Sequence, residues 1–423
     1  MKEDVIFHSS YLELDILFNQ KNPLRGFFTL FWVIMGFFLL QNIVISVRST
    51  GDLLGKITFK FMSKNLFELF ISDVTMVLSA SIVFPIQVLI SKGFIPSRKI
   101  QISLQIFIET SFVIFWSTWI FKRNWYLIQR ASLALHTTVL LMKMHSYSSM
   151  NQSYNLSLAE YSNVKAGAPD AKLDPLIESE LKAKFSGETH SIVYPDNIHI
   201  GNYIDFLLVP SLIYQLEYSR IEKFRPGYFF TKMLALAGTF GLTYIAVEHH
   251  LFPVFIGDKD YSSLELVIKL AIPFTIIHLL IFFILFEVVC NAFAELTRFA
   301  DRNFYDDWWN SHNFLEYSSK WNKPVYRFLR KHVFQSLIET FGLRKRDALI
   351  LTFLISSLFH ELVMCITFQK FTLIFFSFQM FQIPLISFMQ LKPIVDRPWL
   401  GNAIVWVGLC LGLPILSLLY ATY

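Results

Sequence analysis

Residues 348–368 read ALILTFLISSLFHELVMCITF, a run long and apolar enough to cross a hydrocarbon core about 30 Å thick as a helix, yet broken by His360 and Glu361. Ionisable groups at such depth are costly and usually mark a pathway or a site. On a helix, Thr352, Ser356 and His360 fall four apart on one slowly drifting stripe, with Ser357, Glu361 and Cys365 on the neighbouring one. One face of this helix therefore lines a polar space. His360 is open to two readings, a packing histidine bonded to another helix or a working residue, and Glu361 beside it favours the second. A neutral imidazole, with a pKa of about 6.5, can take the proton of an alcohol as that alcohol attacks an acyl carbon. Ser356 could instead be an acylated nucleophile activated by His360. An i, i+4 spacing shows only proximity, however, and hydroxyls in membrane helices commonly bond the backbone, so direct attack ranks first.

The surrounding chain has the same character. Of 423 residues, 54% are hydrophobic and 16% charged, and the mean hydropathy is +0.47, which excludes an ordinary soluble domain. The 45 Phe suit lipid-facing helix surfaces and a long-chain tunnel. Nine apolar runs, at 27–47, 66–90, 102–121, 125–144, 228–255, 271–290, 348–368, 372–389 and 402–420, predict an all-α polytopic membrane protein. About nine transmembrane helices would enclose an internal reaction chamber in a single domain, 1–423. Residues 203–214 are apolar but too short to span and are expected in the interface or buried.

Outside the spans, 25 Lys and Arg fall on the N-terminal side. That excess predicts a cytosolic N-terminus and cytosolic loops at about 146–227 and 291–347. The sequons at Asn151 and Asn155 would then stay unmodified. The first loop is polar and acidic around 166–188 and reads as a surface segment, whereas the second alternates aromatic and charged residues and suits short helices at headgroup level. The start at Met1 lacks a cleavable signal pattern, so insertion is expected to begin with the first span. A net charge of +5, spread between helices, implies no nucleic-acid partner, and Cys290, Cys365 and Cys410 have neither disulfide nor zinc spacing.

Asn291 to Phe299, NAFAELTRF, leads into FYDDWWN (Phe304 to Asn310); WNKPV (Trp321 to Val325) and SSLFHE (Ser356 to Glu361) follow. This order resembles the sterol and diacylglycerol branch of the membrane-bound O-acyltransferase family. MKMHS (Met142 to Ser146), YPDN (Tyr194 to Asn197), PSLIYQLEYSR (Pro210 to Arg220) and FQIPL (Phe381 to Leu385) extend the resemblance over most of the chain. The ELTRF and YQLEY wording is similar to fungal sterol members. The resemblance implies that His360 is the catalytic base and that Asn322 lies beside it, its amide holding the reacting carbonyl. It also implies that Ser356, Glu361 and Gln382 line the chamber, and that Trp321, Tyr305, Asp307, Trp308 and Asn310 belong to the substrate-binding set. The last four would form a cytosolic entrance for acyl-CoA; their plainer reading is an interfacial anchor. The partners implied are acyl-CoA, a membrane sterol and the lipid bilayer, with room for a homo-oligomer, in the endoplasmic reticulum membrane.

Two departures touch the expected coenzyme A contacts: Tyr326 stands where many relatives have His, and Phe334 where Tyr is common. The chain also lacks the long hydrophilic N-terminal extension common in the family. Thioester-to-ester transfer needs no metal or cofactor, and Asp306-Asp307 alone is a weak metal signal. Diacylglycerol acylation shares the same residues. A transporter with an intramembrane His-Glu pathway predicts internal repeats, and none is evident.

Overall fold

The computed structural model describes residues 25–51, 63–165, 192, 194–256 and 261–422. In chain order its main helices are α1 (Arg25–Thr50), α2 (Leu66–Ala80), α3 (Val83–Ser91), α4 (Arg98–Phe121), α5 (Leu127–Lys165), α6 (Ile200–Leu208), α7 (Pro226–Ala246), α8 (Ser263–Phe282), α9 (Cys290–Leu296), α10 (Phe314–Trp321), α11 (Lys323–Phe328), α12 (Lys345–Phe368), α13 (Ile374–Met389) and α14 (Pro398–Thr422). Where no water is at hand, helices satisfy their own backbone groups, and every one of the nine apolar runs takes this solution. Among the described residues the only extended pairing outside helices is an isolated antiparallel bridge, Arg220 with Phe299.

Six stretches are both long and apolar enough to cross a membrane: Leu66–Ser91, Arg98–Phe121, Pro226–Phe255, Ser263–Leu296, Lys345–Phe368 and Pro398–Ala421. At most 39% of any of these windows is buried inside the protein, so most of each surface, including Phe107, Phe230, Leu234 and Ile272, is left for lipid. The remaining three expected spans are helices of other kinds. With 16 residues, α13 rises about 24 Å, short of a full hydrocarbon core. In α1 the apolar part is Val33–Arg48. Helix α5 has 39 residues and runs about 58 Å, well past the apolar segment at its start.

The length of α5 changes the expected loop at 146–227. Residues 146–165 continue the helix, with Ser146, Tyr147, Ser148, Asn151 and Tyr154 buried. Tyr194, Tyr203, Phe206, Tyr214 and Tyr218 are buried in the same core, Tyr147 meeting the rings of Tyr203 and Tyr214 at 4.9 Å. The chain is pulled down by the buried Lys143 ammonium, which donates to the carbonyls of Phe206, Val209 and Ser211 at 2.7, 2.8 and 2.9 Å. The acidic stretch at 166–188 lies outside the described residues.

Buried and partly buried ion pairs tie the signature region to the spans. Lys232 of α7 meets Glu287 at 2.7 Å, both fully buried, in the π-helical turn Phe283–Val289 that joins α8 to α9. Arg225 and the buried Arg302 both hold Glu295 of α9. A buried pair is weak evidence for net stability, but removal of either partner strands a charge, so these contacts fix one arrangement of α7, α8 and the segment after α9.

Candidate active site

On α12 the backbone carbonyl of Ser356, which can only accept, lies 2.8 Å from Nδ1 of His360. Nδ1 therefore carries a proton, and in the neutral ring Nε2 presents its lone pair. The residue is exposed to the space beside its helix, and its ring stacks on Phe375 of α13, centroids 5.5 Å apart and 18° from parallel. The half-buried Ser356 serves the ring through its carbonyl. Between α12, α4 and α5, Phe359, Val363, Ser117, Thr137 and Thr138 line a cavity of about 10 Å³. That is room for one water, not for a lipid.

Glu361, expected in the chamber lining, is turned into the protein. It is 2% exposed and accepts from the backbone N–H of Leu373 at 3.0 Å and of Phe376 at 2.9 Å, and from the Tyr420 hydroxyl at 3.2 Å. The carboxylate thus caps α13, where orphan N–H groups and the helix dipole favour an anion. Gln382 of α13 is half-buried, and its side chain has no hydrogen-bond partner among the described residues. It sits seven residues beyond Phe375 and Gln379 sits four beyond, so both amides share the face that meets His360. Gln379 was not singled out from sequence, although the same spacing carries it.

The signature segment is more deeply placed than an entrance rim. Tyr305 is 1% exposed and donates its hydroxyl to Glu287 at 2.9 Å. Trp308 is 2% exposed, packed among Phe282, Tyr317, Trp321 and Trp406 at centroid distances of 4.8 to 5.8 Å. Both are interior because the π-helical turn after α8 supplies the Glu287 carboxylate for the phenol and α8 supplies the Phe282 ring for the indole. Asp307 and Asn310 stay nearer the surface. Lys320, 2.9 Å from Asp307, holds that carboxyl below the usual carboxylate range, and Asn310 donates to it at 3.5 Å.

Trp321 ends α10 and Asn322 starts α11, with its Oδ1 accepting from the Val325 N–H at 3.2 Å. Its Nδ2 has no partner among the described residues and is available as a donor. Trp321 and the α12 residues Leu362 and Val363 pack against one apolar core. No hydrogen bond joins Asn322 to His360 among the described residues. His278 of α8 went unnoticed in the sequence, though it interrupts an apolar run as His360 does; it stacks on Trp321.

The model of the membrane-bound O-acyltransferase family matches residues 102–422, which include every residue of this site. The chain belongs to the membrane-bound O-acyltransferase family. Among its relatives, "Probable sterol O-acyltransferase 1" of Schizosaccharomyces pombe is 32% identical over 95% of this chain and 82% of its own length. "Sterol O-acyltransferase 2" of Saccharomyces cerevisiae is 31% identical over 94% of the chain and 66% of its own length. "Diacylglycerol O-acyltransferase 1A" of Glycine max is 28% identical over 97% and 80%. For a membrane-bound O-acyltransferase the geometry offers an oriented imidazole on α12, two amides on the facing side of α13 without a hydrogen-bond partner among the described residues, and a third amide at Asn322.

Proposed function

We propose that the protein is a sterol O-acyltransferase, transferring a long-chain fatty acyl group from acyl-CoA to the hydroxyl of a membrane sterol. The observation that carries the chemistry is the Nδ1 contact of His360, which leaves Nε2 as the free base. The sterol oxygen attacks the thioester carbonyl as its proton passes to Nε2. The oxyanion that forms is met by the amide N–H of Asn322, a donor where charge develops. Collapse expels the coenzyme A thiolate, which takes the proton from the imidazolium, so the base is regenerated and atoms balance.

The thioester already carries the activation, and the protein's task is to align hydroxyl and carbonyl and to exclude water that would hydrolyse acyl-CoA. Gln379 and Gln382 line the approach to His360. Acyl-CoA enters from the cytosolic face and the sterol laterally from the bilayer, in the endoplasmic reticulum membrane. The stronger matches to relatives named for sterol acylation favour this substrate over diacylglycerol.

The test is expression in cells lacking neutral-lipid acyltransferases, with labelled oleate followed into steryl ester and triacylglycerol. Label is expected mainly in steryl ester. Label chiefly in triacylglycerol would overturn the sterol assignment and leave the base intact.

A further inference from the structure

His278 lies inside the apolar stretch of α8, and the reaction as written gives it no task. Its imidazole lies flat on the indole of Trp321, centroids 4.5 Å apart and planes 6° from parallel. Its Nε2 is buried without a hydrogen-bond partner among the described residues. A buried nitrogen left unpaired is costly, so its retention calls for a use of the ring.

The indole beneath it is gripped from other sides as well, by Phe282 one turn further along α8 at 4.7 Å, by Trp308 at 4.8 Å and 77°, and by Tyr317 at 5.6 Å. Trp321 is the last residue of α10, and the next residue is Asn322, whose Oδ1 is committed to capping α11. With that oxygen fixed, the direction of Nδ2 follows the backbone at 321–322. Of the rings around Trp321, those of His278, Phe282 and Phe286 come from the membrane-crossing stretch Ser263–Leu296. His278 alone among these three lies parallel to the indole, Phe282 being tilted by 37° and Phe286 by 75°.

We infer that His278 is a positioning residue: its flat ring, stacked on Trp321, registers the Asn322 amide against α8 so that Nδ2 meets the reacting carbonyl oxygen. The inference rests on the role given to Asn322 above. Misplacement of a catalytic group by about 1 Å can cost about a hundredfold in rate, so loss of the stack shows in kcat.

The experiment uses the full-length protein in detergent with oleoyl-CoA and cholesterol, and compares His278→Leu, His278→Phe, Asn322→Ala and the double variant His278→Leu/Asn322→Ala. His278→Leu is expected to lower kcat about tenfold or more with the KM for oleoyl-CoA within about twofold, while His278→Phe, which keeps a flat ring, retains most of the rate. The double variant is expected to be no slower than Asn322→Ala alone, because the two changes act on one group. Three results overturn the inference: multiplicative losses in the double variant, His278→Phe as slow as His278→Leu, or an effect confined to abundance and thermal stability with kcat per folded molecule unchanged. An Asn322→Ala protein with full kcat overturns the role of Asn322, and this inference with it.

Discussion

His360 and His332 both lie among apolar neighbours, but His360 is exposed beside its helix while His332 is buried, and their nitrogens are used in opposite ways. Nδ1 of His360 is satisfied one turn back along its own helix, which leaves Nε2 free for a substrate. Nε2 of His332 is consumed inside the protein, 2.9 Å from the Ser146 hydroxyl, which itself accepts from the Tyr214 N–H at 2.8 Å. Burial, with His145 and Lys331 nearby, pushes the His332 imidazole down to about 3. Its ordinary value is about 6.5, so the unfolded chain takes up a proton that the folded chain refuses. The stability this represents is fully present above about pH 6.5 and is lost as pH falls toward 3, at up to about 1.4 kcal/mol per pH unit. Thermal unfolding in detergent is therefore expected to move to lower temperature between pH 7 and 5, and His332→Asn to flatten that slope; identical slopes would remove His332 from the account. His360 was legible because an ionisable residue inside an apolar run has few explanations. The depth of Tyr305 and Trp308 was not, because Trp and Tyr serve equally at headgroup level and in cores. The position of Glu287 decides it for Tyr305, and the rings of Phe282, Trp321 and Trp406 decide it for Trp308.

At the scale of elements, the connection from α12 to α13 shows what a single carboxylate can organise. Gln369 and Leu373 both adopt left-handed backbone, with φ of 55° and 56°, an arrangement that needs compensation in residues other than glycine. Glu361 supplies it by accepting two N–H groups at the start of α13 and the Tyr420 hydroxyl of α14. This in turn sets Phe375 against His360. Glu361→Ala is expected to leave these donors unpaired and to destabilise the protein by about 1–3 kcal/mol or more. A lower unfolding temperature and lower abundance should accompany any loss of activity. Activity lost at unchanged stability would instead make Glu361 a group that meets substrate. The His-Glu dipeptide announced an important turn of helix, but adjacent residues on a helix point about 100° apart, and sequence alone does not say which one faces the chamber.

Across the whole molecule, apolar runs and their order gave the helical architecture, because backbone in lipid has little choice but helix. They did not give the extent of α5 or the burial of residues 194–218, since that packing depends on Lys143 and a set of tyrosines contributed from distant parts of the chain. The excess of Lys and Arg on one side predicts that a tag inserted within 166–191 is cut by protease in sealed microsomes. Protection of the tag would reverse the orientation. Glycosylation at Asn151 is not expected in either orientation, because that side chain is fully buried and bonded to Asn197. The central claim is that one side chain, His360, moves the proton during ester formation. Its most direct test is steryl ester synthesis from oleoyl-CoA and cholesterol by full-length His360→Ala and Ser356→Ala proteins at matched abundance. General-base catalysis contributes about 10²- to 10⁴-fold, so His360→Ala is predicted to keep about 1% of the rate or less while Ser356→Ala keeps most of it. A His360→Ala protein that retained most of its activity, or an acyl group recovered covalently on Ser356, would contradict the account.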